Sequence, residues 1–103
     1  MTTTHDTTIP TTSFDVRNPG TGDTVGTYPV HSATDVADAV ERARVAAEWW
    51  QGLGHAERRK RLDAFRGVIA RRINQLAGLI HDEMGKPHSD AYLEVALVLD
   101  HLA

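Results

Sequence analysis

Cysteine is missing from this chain altogether. That absence excludes a disulfide framework, a thiolate zinc site and a cysteine nucleophile within these residues. An excess of positive charge is missing too. The formal balance of −3 over 103 residues gives no electrostatic footprint for a nucleic-acid or polyanion partner. No apolar run approaches the roughly eighteen residues of a membrane span. The opening stretch, "MTTTHDTTIPTTS", lacks the basic and apolar regions of a secretory signal. A cytoplasmic protein is the expectation, with residues 1–13 as a flexible tail because they offer little to bury. The length allows one small domain, in which any missing partner surface matters.

The first ordered pattern is Phe14-Asp15-Val16-Arg17, which alternates apolar and polar as a half-buried strand does. Thr24 to Val30 is a second extended run, and Asn18-Pro19-Gly20-Thr21-Gly22 lies between the two. A loop that cradles a nucleotide needs its glycines after a buried strand and at the mouth of a helix. Gly20, Gly22 and Gly26 miss the G-x-G-x-x-G spacing, and a strand follows them instead of a helix. No Lys-Ser or Lys-Thr pair makes a P-loop. The glycines therefore mark the turn of a β-hairpin over residues 14–30.

Helices follow. Ser32-Ala33-Thr34-Asp35 matches a capping box, with Asp35 standing where Glu or Gln is usual. Val36, Val40, Ala43, Ala47 and Trp50 recur at helical spacing, which predicts one amphipathic helix over 33–51, ended by Gly52 and Gly54. Leu62, Phe65, Ile69, Ile73 and Leu76 predict a second helix over 55–84. Glu57 is placed to satisfy its first turn, and a bend or restart is expected near Ile73-Asn74, since Asn favours caps over helix interiors. Gly85 is a natural left-handed stop, with Pro87 two residues beyond. Ser89 offers a cap for a third helix over 89–103, whose apolar residues spread beyond one face. No Gly, Asn or Pro stop follows, so the fold is expected to be incomplete within these residues.

Candidate chemistry is sparse. None of the six histidines pairs at the spacing of a helical zinc site, and no H-E-x-x-H occurs. The run Glu57-Arg58-Arg59-Lys60-Arg61 reads as a solvated helix face. His81, near a helix end, is placed to complement the helix dipole or to meet solvent. Trp50 falls on the apolar stripe and Trp49 at a contact edge. No acid/base pair and no nucleophile with an adjacent base stands out.

Five short motifs nevertheless occur in a familiar order. Asn18-Pro19-Gly20-Thr21-Gly22-Asp23 resembles the "NPaTGe" turn near the start of aldehyde dehydrogenases. Ser32 to Ala47 is similar to that superfamily's first helix, and Ala56-Glu57-Arg58 with Leu62 to the next. Glu83-Met84-Gly85-Lys86-Pro87 resembles its "E.GKP" turn, and Glu94-Val95 the "EV" after it. The resemblance covers residues 14–103. It implies a mainly helical chain with a short β-hairpin, the N-terminal part of an α/β fold with a Rossmann-type cofactor domain, incomplete here.

In that family an aldehyde is oxidised to a carboxylic acid with NAD or NADP. A cysteine thiolate forms a thiohemiacetal that passes hydride to the nicotinamide. The family's asparagine, glutamate and cysteine lie beyond this chain, so catalytic inactivity and no tight cofactor binding are expected of it alone. The resemblance also places Glu94 and Val98 on a helix lining the aldehyde access tunnel. It places Glu83 and the Arg17 carbonyl at a structural cation that some relatives hold. A small aldehyde is the implied partner of the full-length enzyme, usually a homo-oligomer, with no nucleic acid or membrane. The alternative from a different class is a helical interaction module that docks on an intact family member, motivated by the apolar last helix.

Overall fold

The computed structural model describes residues 12–103; most of the expected tail lies outside them. The element order is β1 (Ser13–Arg17), β2 (Thr24–Pro29), α1 (Ala33–Gly52), α2 (Gly54–Arg71), α3 (Ile73–Met84) and α4 (His88–His101).

The two strands pair antiparallel with Phe14 opposite Tyr28, whose ring centroids lie 6.0 Å apart. Opposite Asp15, the Thr27 hydroxyl donates to its carboxylate at 2.7 Å. The turn between the strands is organised by Asn18. Its side-chain oxygen accepts from the amides of Gly20 and Thr21 at 2.8 and 3.2 Å. Its carbonyl accepts from Gly22 at 2.8 Å, where the chain reverses at φ +80°. The register shifts between Val16 and Arg17, as an extra residue at the hairpin end requires.

The capping box forms in full. Ser32 Oγ accepts from the Asp35 amide at 3.1 Å, and Asp35 Oδ2 accepts from the Ser32 amide at 2.8 Å. Donation from the Ser32 amide holds the Asp35 carboxyl below its ordinary range, and the Ser32 hydroxyl and, less, the nearby His31 push in the same direction. α1 then runs 20 residues, about 30 Å at 1.5 Å per residue. None of those residues is buried. The stripe from Val36 to Trp50 exists in sequence, but the other described residues bury none of it.

Three expected boundaries move. Gly54 does not end α1: the Leu53 carbonyl region serves both helices, and Gly54, at φ +75°, opens α2. Glu57 lies in the first turn of α2, yet no side chain caps that helix. The single helix over 55–84 is two. The break falls at Arg72, at φ −105° and ψ 11°, one residue before the expected restart at Ile73-Asn74. The Arg72 amide donates back to Val68 and Ile69, and the chain re-enters helix at once. Ser89 is not a cap. Pro87 occupies that place, and α4 begins at His88. Pro87, at φ −56° and ψ 147°, enters the helix from extended backbone, and its carbonyl accepts from the Asp90 and Ala91 amides.

α3 and α4 form an antiparallel pair joined by Gly85-Lys86-Pro87, and small residues set their spacing. Ala91 is completely buried, with Ala77 and Val95 at 4% and 5% exposure beside it. Ile69 from α2 completes this core, and Arg66 Nε donates to the Leu99 carbonyl at 2.9 Å, tying α2 to α4. The core is those four side chains; sixteen large apolar residues stay exposed among the described residues. The molecule is a slab of 69 × 38 × 16 Å with a radius of gyration of 19.9 Å, against about 13 Å for a compact domain of 100 residues. Its thin dimension is roughly that of two packed helices, with axes 8–10 Å apart.

β1 lies beside α3, and the hairpin turn meets the turn between α3 and α4. Gly85 turns at φ +70°, and a Cβ placed there would stand 2.8 Å from Pro19 Cγ. Both the backbone conformation and the close approach demand glycine. Gly85→Ala should therefore lose at least about 1–2 kcal/mol from the left-handed conformation alone, with the overlap added. Urea unfolding followed by circular dichroism reads this, and an unchanged midpoint contradicts it.

Asp35 gives a pH prediction. Its folded pKa is depressed, so its contribution is present above the unfolded value and is lost as pH falls through the folded one. Protection factors of the first-turn amides of α1, with the intrinsic pH dependence of exchange divided out, should fall on acidification below the ordinary carboxylate range. Asp35→Asn should flatten that step, and an identical acid profile in the variant would refute the capping account.

Candidate functional site

α2, α3 and α4 enclose one side of an open, mainly apolar groove of about 510 Å³. α2 contributes Phe65, Val68 and Ile69, and α3 contributes Leu76 and Ile80. Val95 and Val98 come from α4, with Arg72 and Glu94 as the charged members of the wall. The sequence positions these residues simply: 65, 68, 69 and 72 share one helical face, as do 76 and 80, and 94, 95 and 98. The break at Arg72 lets α3 turn against α4 while its residues still face the groove.

Glu94 and Val98, expected on one tunnel wall, do lie together on this groove. Glu94 also pairs with Lys86 of the turn: Lys86 Nζ donates to Glu94 Oε1. The partners are 28% and 50% exposed, so the pair orients Glu94 more than it stabilises the fold. It leaves the groove with a neutralised carboxylate at one end. At the other, Arg72 has no ion-pair partner among the described residues.

Arg17 and Glu83 each sit two residues from the Pro19–Gly85 contact, Arg17 before Pro19 and Glu83 before Gly85. Residues far apart in sequence are thus brought to one corner. The guanidinium of Arg17 is engaged elsewhere, donating to the Gly22 carbonyl at 3.3 Å and lying 3.6 Å from Asp15. Its backbone carbonyl is the atom the resemblance invokes. A hard cation takes six or more oxygens, and no cluster of three or more His, Asp or Glu forms among the described residues.

A dinucleotide does not fit the described residues either. Its pyrophosphate needs backbone amides at a helix N-terminus after a glycine turn. Gly20, Gly22 and Gly26 instead lie in and beside a hairpin turn that feeds β2.

Two features escaped the sequence reading. His81 and His88 stack with ring centroids 3.7 Å apart and 18° between planes. His81 Nδ1 lies 2.6 Å from the Lys86 carbonyl; since that oxygen can only accept, Nδ1 carries the proton. The rings lock the last turn of α3 to the first of α4. Their seven-residue separation across a turn has no helical period to reveal it. The second feature is at the α1–α2 junction. Arg61 lies over the Trp49 ring at 4.9 Å, and Arg58 donates to the Gln51 carbonyl at 3.0 Å. Part of the basic run thus has a structural task beyond solvation. No helix among the described residues is long and apolar enough to cross a membrane.

Comparison with known proteins agrees with the motif order. The profile of the aldehyde dehydrogenase family matches residues 5–103. A probable succinate-semialdehyde dehydrogenase (NADP(+)) of Sinorhizobium fredii is 38% identical over 82 residues, which cover 80% of this chain and 17% of that protein. The malonate-semialdehyde dehydrogenase of Lacticaseibacillus casei is 31% identical over 87 residues, covering 84% of this chain and 18% of its own. The N-succinylglutamate 5-semialdehyde dehydrogenase of Escherichia coli is 32% identical with the same coverage of both chains. The chain thus spans less than a fifth of the length of these relatives. No solved structure matches it. With nearly its whole length inside the family profile, the chain belongs to the aldehyde dehydrogenase family.

Proposed function

We propose that these residues are the N-terminal portion of an NAD(P)-dependent aldehyde dehydrogenase, which oxidises an aldehyde to a carboxylic acid through a cysteine thiohemiacetal. The observation that carries this reading is the family match along residues 5–103, in a chain with no cysteine. The relatives' names supply a substrate class: aldehydes that carry a carboxylate at their other end. The 103-residue chain alone has no turnover, because neither a nucleophile nor a seat for the nicotinamide cofactor is among its described residues.

Within the whole enzyme, the α2–α4 groove is one wall of the aldehyde's approach. Glu94 and Val98 face that path, and Lys86 fixes the Glu94 carboxylate so that it does not repel an anionic substrate. Arg17 and Glu83 contribute at most two ligands to any structural cation. Such an enzyme works in the cytoplasm as a homo-oligomer, with neither nucleic acid nor membrane as partner. A second reading, a helical module that docks on an intact family member, is favoured by the exposed apolar residues of α4, including Tyr92, Leu93 and Leu97. Co-purification with an intact relative that lacks none of its own N-terminal segment would support it.

Two assays decide the enzymatic reading. The isolated chain should produce no aldehyde-dependent NAD(P)H absorbance above a protein-free blank. Residues 14–103, exchanged for the matching segment of the Sinorhizobium fredii relative, should keep that enzyme's aldehyde-dependent NADP reduction. In the chimera Lys86→Ala, which leaves the Glu94 carboxylate unpaired on that path, should raise KM for a carboxylate-bearing aldehyde more than it lowers kcat. A soluble chimera without activity contradicts the reading.

A further inference from the structure

To pair with Glu94, Lys86 must reach from the turn to the second turn of α4, eight residues ahead. A lysine ammonium sits on a flexible four-carbon stem, so the reach depends on how that stem leaves the backbone. Pro87 restricts the residue before it to extended backbone, yet leaves its φ a range of about ±40°. Glu83 and Asp90 also offer carboxylates nearer in sequence than Glu94. The choice of Glu94 therefore needs a further restraint on Lys86.

His81 supplies one. Its backbone carbonyl accepts from the Gly85 amide at 2.9 Å, and its ring Nδ1 donates to the Lys86 carbonyl at 2.6 Å. No backbone amide among the described residues donates to that oxygen, because the Asp90 and Ala91 amides both go to the Pro87 carbonyl one residue on. The imidazole is thus the donor that fixes where the Lys86 peptide points. The ring is itself held. It is half-buried, and His88 stacks on it at 3.7 Å. His88 is the first residue of α4, so the restraint is anchored on the helix that carries Glu94. The Lys86 side chain is accordingly only 28% exposed, low for a lysine.

We infer that His81 is a positioning residue for the substrate path. By holding the Lys86 carbonyl it aims the Lys86 ammonium at Glu94, and so keeps the carboxylate of the groove neutralised. It acts through the turn and not by contact with the aldehyde. This inference rests on the reading of the groove as the aldehyde's approach.

The test compares a carboxylate-bearing aldehyde with an uncharged one of equal length in the chimera. His81→Ala should raise the ratio of their KM values by roughly two- to fivefold. Lys86→Ala should do the same, and the double variant should do no more than Lys86→Ala, since both act on one interaction. His81→Asn, whose side-chain amide supplies a donor in place of Nδ1, should recover most of the ratio. A role confined to turn stability would instead lower activity towards both aldehydes alike. Crystal structures of the chimera and of its His81→Ala variant read the geometry directly, and Lys86 Nζ should leave Glu94 in the variant. Lys86 still on Glu94 there, an effect additive with Lys86→Ala, or an equal loss for both aldehydes would each overturn the positioning role. An inactive chimera, or a Lys86→Ala variant indifferent to substrate charge, counts against the groove reading instead. The two crystal structures then decide the positioning role by themselves.

Discussion

The contact of Pro19 with Gly85 fixes how this molecule is put together. It is the point at which the hairpin turn touches the turn between α3 and α4, and it admits no side chain. Asn18 shapes one partner by gathering three amides, and the left-handed glycine shapes the other. Lys86 and Pro87 follow directly. The lysine reaches forward to Glu94 and offers its carbonyl to His81, while the proline starts α4. The orientation of α4, and with it the groove wall, follows from that corner.

What the corner does not supply is an interior. Helices gain most of their stability in proteins from packing an apolar face, and here four side chains are buried while the longest helix buries none. The α3–α4 pair is the exception, because Ala77 and Ala91 let the two backbones approach closely. Elsewhere the amphipathic pattern is present in full, and the described residues supply no surface that buries it. That constraint connects the family assignment and the expected lack of turnover.

The sequence reading succeeded where structure is decided within four or five residues. The hairpin turn, the Ser32–Asp35 capping box and the Gly85 stop each follow from local hydrogen bonding or from one allowed backbone conformation. It failed where two local signals compete. Ser89 is a good cap residue, yet Pro87 sets the helix start two residues earlier. Asn74 drew attention to the right neighbourhood, but the break falls at Arg72, a residue with good helical propensity, because α3 must turn to meet α4. Uncovered apolar surface was expected of an incomplete fold, but its extent was not legible residue by residue. A periodic stripe states which face wants cover, and only tertiary structure states whether cover exists. Glu94 and Val98 were found to share a groove because they are four residues apart on one helix; the resemblance, not the spacing, pointed to that helix.

The dependence on a surface outside the chain is tested most directly by calorimetric unfolding of the 103-residue chain over a wide range of protein concentration. The account predicts little cooperative heat absorption at the highest dilution, where no second copy can lend a surface. A sharp transition with the same midpoint and enthalpy at every concentration would show that a single copy closes its own core, and would contradict it.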